Sequence, residues 1–344
     1  MYRYAIIGTG IPWRTEGSTG FGMARAHYPS MMKNGKVELV GYSELRPDRA
    51  QLFREKFNIT APHYLDYREM LEKEQPEIVS VCTWPNAHAE LAIAAIEAGA
   101  KAVYCEKPIA INWGDCKRMK EAADAHGAIL TFNHQRRFIK MFQQVQEAVQ
   151  SGAIGNLVQI EAECGNMYDW GTHWLDMMFY YNADTPAEWV IGQINSQTDN
   201  TIFGAFMEDQ AVCHFKWQNG VRGYIVTGHE ASIGATHRLI GTEGIIEVLN
   251  ERKYRVLGKG RGAWEEIEVP QGDWSDLELA AADVVRTLDE PGYKSLLSVD
   301  NAIQSTEVIF ATYHSSQIHG RVDLPLKYDG NSLLDLVAEG KIGP

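Results

Sequence analysis

The chain has 344 residues, 45% hydrophobic and 22% charged, which suits a globular protein long enough for two separate cores. Its formal net charge of −13 at pH 7 repels a phosphate backbone, so nucleic acid is not an expected partner. Five cysteines without a CxxC pair speak against a disulfide framework and a zinc site; no metal is expected, and a reducing cytoplasm fits.

In chain order, the N-terminus enters an apolar run at once, without the features of a secretory leader. No charge-free apolar run approaches the ~20 residues that a membrane helix needs, so no membrane is expected. Strands are predicted at residues 2–7, 37–42, 78–83, 101–105 and 128–132, each short, apolar and followed by turn chemistry. Helical patterns lie between them at 47–57, at 88–98 stopped by Gly99, and at 112–126 stopped by Gly127. This alternation predicts an α/β, doubly wound parallel sheet over residues 1–132.

Residues 133–344 read as a second, α+β domain. A helix ends near Gly152, and then Val158, Ile160 and Ala162 alternate with Gln159, Glu161 and Glu163, the pattern of a half-buried antiparallel strand. Similar runs recur at 189–194, 211–217, 221–227, 237–240 and 245–249, with a turn at Thr242-Glu243-Gly244. A large, open, mostly antiparallel sheet follows, with helices expected at 274–288 and 300–318 to cover its apolar face. The last residues, 340–344, look frayed.

Three stretches carry chemistry at the predicted strand ends. Gly8-Thr9-Gly10 follows the first strand, where glycines permit a tight turn and let backbone amides reach a pyrophosphate. The third glycine of such a loop is delayed by an insertion, residues 11–21, after which Ala24 is the expected small helix-start residue. Glu44, after the second strand, is placed to accept from an adenosine ribose and so favours NAD, whereas Arg46 nearby suits the extra phosphate of NADP. Next come Thr83-Trp84-Pro85-Asn86-Ala87-His88, Cys105-Glu106-Lys107-Pro108 and Asn133-His134-Gln135-Arg136-Arg137-Phe138. Their side chains are expected at the carboxyl edge of the sheet, where such folds bind ligands.

With these motifs and Asp169-Trp170-Gly171-Thr172-His173-Trp174-Leu175-Asp176, the chain resembles the Gfo/Idh/MocA oxidoreductase family, named for glucose-fructose oxidoreductase and inositol dehydrogenase. The likeness extends from Gly8 to Arg321-Val322-Asp323-Leu324-Pro325-Leu326, matching the family's closing strand. It implies an N-terminal Rossmann domain, a catalytic set of Lys107, Asp169 and His173, and homodimers or homotetramers formed through the flat face of the second sheet. Cofactor contacts are then expected at Gly8, Thr9, Gly10, Glu44, Thr83, Trp84, Pro85, Asn86, His88, Glu106 and Lys107, and substrate contacts at His134, Tyr168, Trp170 and Thr172.

The residues support that chemistry independently. Asp169 and His173 lie four apart at a predicted helix start and share one face. His173 suits the proton acceptor in alcohol oxidation, and Lys107 suits a donor to the developing alkoxide. Plainer readings are a helix pair of His173 with Asp176, and a packed helix histidine at His27. Tryptophans Trp13, Trp84, Trp170 and Trp174 near the motifs fit a carbohydrate or cyclitol. The reading is an NAD-dependent sugar or cyclitol dehydrogenase, with two alternatives: a glycosidase that uses retained NAD transiently, and a non-catalytic cofactor-sensing regulator.

Overall fold

The computed structural model describes residues 1–18, 20–229, 232–260 and 262–343. Thr19 of the insertion and Pro344 of the expected frayed end lie outside the described residues.

Short apolar runs separated by helices form a six-stranded sheet: β1 (Tyr2–Ile7), β2 (Val37–Ser43), β3 (His63–Tyr64), β4 (Ile78–Val81), β5 (Ala102–Cys105) and β6 (Ile129–Phe132). The order is β3-β2-β1-β4-β5-β6, with every neighbouring pair parallel. All residues of β4 and β5 are buried, as a parallel sheet covered on both faces requires. Strand direction from β1 runs outward both ways, so the carboxyl ends of β1 and β4 open a crevice. Strand β3 went unpredicted because two residues carry no readable alternation.

The second sheet has nine strands: β7 (Leu157–Cys164), β8 (Ala187–Asn195), β11 (Gln210–Trp217), β12 (Arg222–Thr227), β13 (His237–Gly241), β14 (Ile245–Asn250), β15 (Lys253–Leu257), β16 (Glu265–Glu268) and β17 (Val322–Asp323). A small hairpin, β9 (Thr201–Ile202) and β10 (Ala205–Phe206), stands apart from it. All pairs in the large sheet are antiparallel except β7 with β12. Along β11, Ala211, Cys213, Phe215 and Trp217 are buried and alternate with more exposed residues. Their neighbours include the helices Trp170–Tyr181 and Val299–Ile318 on the sheet's inner side.

One expectation is corrected. The helix predicted at 274–288, observed as Asp276–Asp289, does not cover the second sheet. Its Ala280, Ala281, Val284 and Val285 join Tyr4, Ile6, Ala24 and Ala102 in the core of the first. The connection that follows stays there: Phe132 N–H donates to Leu297 O at 3.0 Å, and Thr131 forms an antiparallel bridge with Ser298. A sheet apolar on both faces needs two covering layers, and the second half of the chain supplies part of one.

Candidate active site

The glycine loop is built by close approach. Gly8 (φ 85°) and Gly10 (φ 53°) take left-handed backbone conformations that favour glycine, and a Cβ on Gly8 would stand 2.7 Å from Thr83 Cγ2. The insertion leaves after Gly10 and returns at Gly22, where a Cβ would stand 2.5 Å from Ile11 O. Its two ends therefore touch, and Ala24, the expected small helix-start residue, opens the helix Ala24–Lys33 and is fully buried.

Glu44 ends the turn after β2, and its carboxylate locks this loop. Oε2 accepts from Thr9 N–H at 2.9 Å, Thr9 Oγ1 at 3.0 Å and Gly10 N–H at 3.1 Å, while Oε1 accepts from Arg46 N–H at 3.0 Å. Thr9 is fully buried and spends both donors on Glu44, so its side chain does not line the cavity. Arg46 lines the cavity beside Glu44, and its guanidinium pairs with the exposed Asp48, 2.8 Å off.

At the end of β5, Glu106 is buried and bonded to its surroundings. Its Oε1 lies 2.8 Å from His27 Nε2 and accepts from Asn133 Nδ2 at 2.8 Å. Burial alone would raise the Glu106 pKa, but the His27 hydrogen bond and charge outweigh it and hold the carboxyl below its usual value. His27 Nδ1 continues the chain to Ser80 Oγ at 3.1 Å, and its ring stacks on Tyr104 at 4.2 Å. His27 is thus packed, as expected, and also the centre of a polar network under the site. His88, expected at the cofactor, lies beneath the cavity with Nδ1 2.9 Å from Pro108 O and Nε2 3.1 Å from Thr83 O. It ties two strand-end loops together.

Lys107 follows directly and crosses to the second half of the chain, where Nζ donates to Asp169 Oδ1 at 2.6 Å. Asp169 is the N-cap of the helix Trp170–Tyr181. The preceding turn is fixed by Asn166 Oδ1, which accepts from Asp169 N–H at 2.8 Å and Trp170 N–H at 3.0 Å. Buried Glu208 accepts from Met167 N–H, and from Tyr313 OH at 2.6 Å. One turn on, His173 faces the same cavity as Asp169 and Lys107. Burial first, then the charges of Arg136 and Lys107, hold the His173 pKa well below the ordinary histidine value, so the imidazole is neutral at pH 7. Asp176 does not pair with His173. It takes Arg137 in a bidentate pair at 2.9 and 2.8 Å, and the His134 ring nitrogen Nδ1 stands 3.3 Å from it.

These groups line a cavity of about 790 Å³ that runs from Gly8, Gly10 and Glu44 past Thr83, Trp84, Pro85 and Asn86 to Glu106, Lys107, Asp169, Trp170 and His173. Three of the four expected substrate residues fall behind its wall. His134 and Thr172 are buried against each other, Nε2 to Oγ1 at 3.2 Å, and Tyr168 OH donates to Ala110 O at 2.9 Å. Thr83 Oγ1, Gln135 Oε1, Arg136 Nε and His173 Nδ1 are buried without a hydrogen-bond partner, and all four residues line this cavity. Unsatisfied polar atoms gathered on one wall mark a place for a ligand. Sequence reading missed Phe203, at the β9–β10 hairpin turn, which meets Phe21 of the insertion at 5.1 Å over the mouth. Nothing local in the sequence signals that meeting.

Comparison with known proteins places the chain in a family. Residues 2–134 fit the profile of an oxidoreductase family with an NAD-binding Rossmann fold, and residues 163–247 that of the GFO/IDH/MocA C-terminal domain. The myo-inositol 2-dehydrogenase of Thermotoga maritima is 30% identical over 236 residues, covering 64% of this chain and 70% of the relative. The inositol 2-dehydrogenase of Salmonella typhimurium is 29% identical over 202 residues, covering 58% of this chain and about half of the relative, 53%. A levoglucosan dehydrogenase solved with NADH and levoglucosan shares the fold at a TM-score of 0.78 and 18% identity, covering 94% of this chain and 99% of that one.

Proposed function

This chain belongs to the Gfo/Idh/MocA oxidoreductase family, and from that premise we propose that it oxidises a secondary hydroxyl of a sugar, sugar derivative or cyclitol. The observation that carries the reading is the meeting of Lys107, Asp169 and His173 at one end of a cavity that begins at a glycine loop. Relatives named for inositol and levoglucosan support the substrate class. Residues 1–132 would serve the cofactor and 133–344 the substrate, with Asp276–Asp289 lent to the first half.

The residues fit a dinucleotide: glycines allow backbone approach, and Thr83 Oγ1 waits unpartnered in the wall. Glu44 presents a carboxylate where a ribose would lie, which favours NAD, with Arg46 beside it in the cavity and paired to exposed Asp48. When bound, NAD supplies the hydride acceptor. The chain's own part is proton management. Neutral His173 takes the hydroxyl proton, Lys107 donates a hydrogen bond to the oxygen as charge develops, and Asp169 holds the ammonium in place. The half-exposed outer face of β8, β11 and β12, with Ile191, Val212 and Tyr224, suits assembly into a homodimer or homotetramer, which a mass measurement in solution would reveal.

Purification without added nucleotide, identification of any bound cofactor, and assay of sugars, cyclitols and aryl glycosides with NAD or NADP test the reading. Nicotinamide absorbance should rise with substrate consumed and faster with NAD. Glycoside cleavage on retained NAD without net reduction would replace the dehydrogenase by the glycosidase alternative. A pH profile tests His173: because its pKa is lowered, kcat/KM should stay level as pH falls through ~6.5, the ordinary histidine value, and decline only below it. A midpoint at or above that value would remove His173 as the free base.

A further inference from the structure

We propose that the substrate carries a carboxylate, and that Arg136 reads it; what is oxidised rests on the dehydrogenase reading above. Arg136 lies one residue into the single-turn helix Gln135–Phe138 that follows β6, and it lines the cavity beside Lys107, Asp169 and His173. Its side chain is 11% exposed. The guanidinium rests against two indoles, 4.8 Å from the Trp174 centroid and 5.7 Å from that of Trp170. Such contacts hold a cation without neutralising it.

The two cations at this wall are held unequally, Lys107 by a buried carboxylate and Arg136 by a half-exposed one. Asp169 is committed to Lys107 at 2.6 Å. Among the described residues, the acid within ion-pair reach of Arg136 is Glu251, 3.2 Å from Nε, half exposed on the turn between β14 and β15. Nε makes an ion pair there but no well-formed hydrogen bond. The adjacent Arg137 shows what full compensation looks like here: both Asp176 and Asp184 grip it, at 2.7 to 3.0 Å. Arg136 has no such grip, and burial pushes its pKa down despite Glu251 and Asp276. An incoming carboxylate supplies the planar, two-oxygen partner that a guanidinium fits. A carboxylate can take the place of the half-exposed Glu251 on this one guanidinium, charge for charge, so a sugar acid fits better than a phosphate ester. Because the whole chain is at −13, long-range attraction does not explain anion choice; it has to be made at this wall.

The test is titration of the NAD-loaded enzyme with matched pairs, D-glucuronate against D-glucose and D-galacturonate against D-galactose, with glucose 6-phosphate as a third arm and nicotinamide absorbance followed in parallel. The better acid should bind at least about tenfold tighter than its neutral partner at low salt. Arg136→Gln should erase that preference while leaving neutral-sugar affinity, and Arg136→Lys should keep part of it. Glu251→Gln, a rim change that spares the fold, should tighten acid binding alone. Equal binding of acid and neutral partner, no binding of either acid, a stronger phosphate ester, or equal loss of both ligands in Arg136→Gln would overturn the proposal. Selective acid binding with no reduction of NAD would sustain the carboxylate site and remove the dehydrogenase reading. Oxidation of neutral sugars without acid preference would do the reverse.

Discussion

Replacing Lys107 by alanine is expected to lower kcat by about 10³-fold or more while leaving nucleotide binding measurable. A single donor aimed at a developing oxyanion is worth about 10²–10³ in rate, and loss of its help in proton transfer adds to that. Lys107 sits where both effects apply, its ammonium held by Asp169 at 2.6 Å and its neighbour His173 neutral and facing the same space. The substitution also strands Asp169, a carboxylate only 8% exposed in its side chain. A parallel thermal melt therefore separates lost chemistry from lost fold, and quenching of the cavity tryptophan Trp84 reports nucleotide affinity. Turnover unchanged within a factor of a few would remove Lys107, and with it the proposed catalytic group.

Arg137→Leu is expected to destabilise the protein by about 3–5 kcal/mol, the cost of leaving a buried charge without its partner. The side chain is wholly buried, bidentate to Asp176 and paired again with Asp184. Burial by itself would raise the Asp176 pKa, yet Arg137 and His134 bring it down to about 2. The sign follows: this carboxylate stabilises the fold fully above the ordinary aspartate value of 3.8, and its contribution drains away as pH falls toward about 2. Urea unfolding at pH 7 measures the loss. The double variant Arg137→Leu with Asp176→Leu should recover part of it, because the stranded charge is then removed. A loss below ~1 kcal/mol for the single variant would show that solvent reaches the pair.

The layered fold was legible because its signals are local. The short, mainly apolar β4 and β5, helix stops such as Gly99 and Gly127, and the alternation around Ile160 each declare an element without reference to the rest. The helix Asp276–Asp289 shows where that reading ends: its Ala and Val stripe declares a buried face and is silent about which sheet buries it. The site divides in the same way. Lys107 sits just past strand β5 and Asp169 at a helix start in the second half of the chain, each legible as a motif, and the folded chain brings them together. Thr172 and His173 are neighbours in sequence, but about 100° of helix rotation separates them, and one is packed on His134 while the other faces the cavity. Glu44 was placed correctly at the crevice, but its grip on Thr9 and Gly10 depends on a loop geometry that composition does not encode. Phe203 reaches the mouth from a hairpin some 180 residues beyond Phe21 of the insertion it meets.

The touching ends of the insertion at Ile11 and Gly22 bear on how this chain can change over time. A segment that departs and returns at one point adds residues without adding span, so the distance between β1 and its following helix does not register the segment's length. Closing such a loop costs only about 0.6 kcal/mol more for each doubling of its length. The spacing of β1 and its following helix is therefore independent of how long the segment between them is. The segment that carries Trp13 and Phe21 can therefore change in length and sequence while the strand and helix on either side of it keep their places.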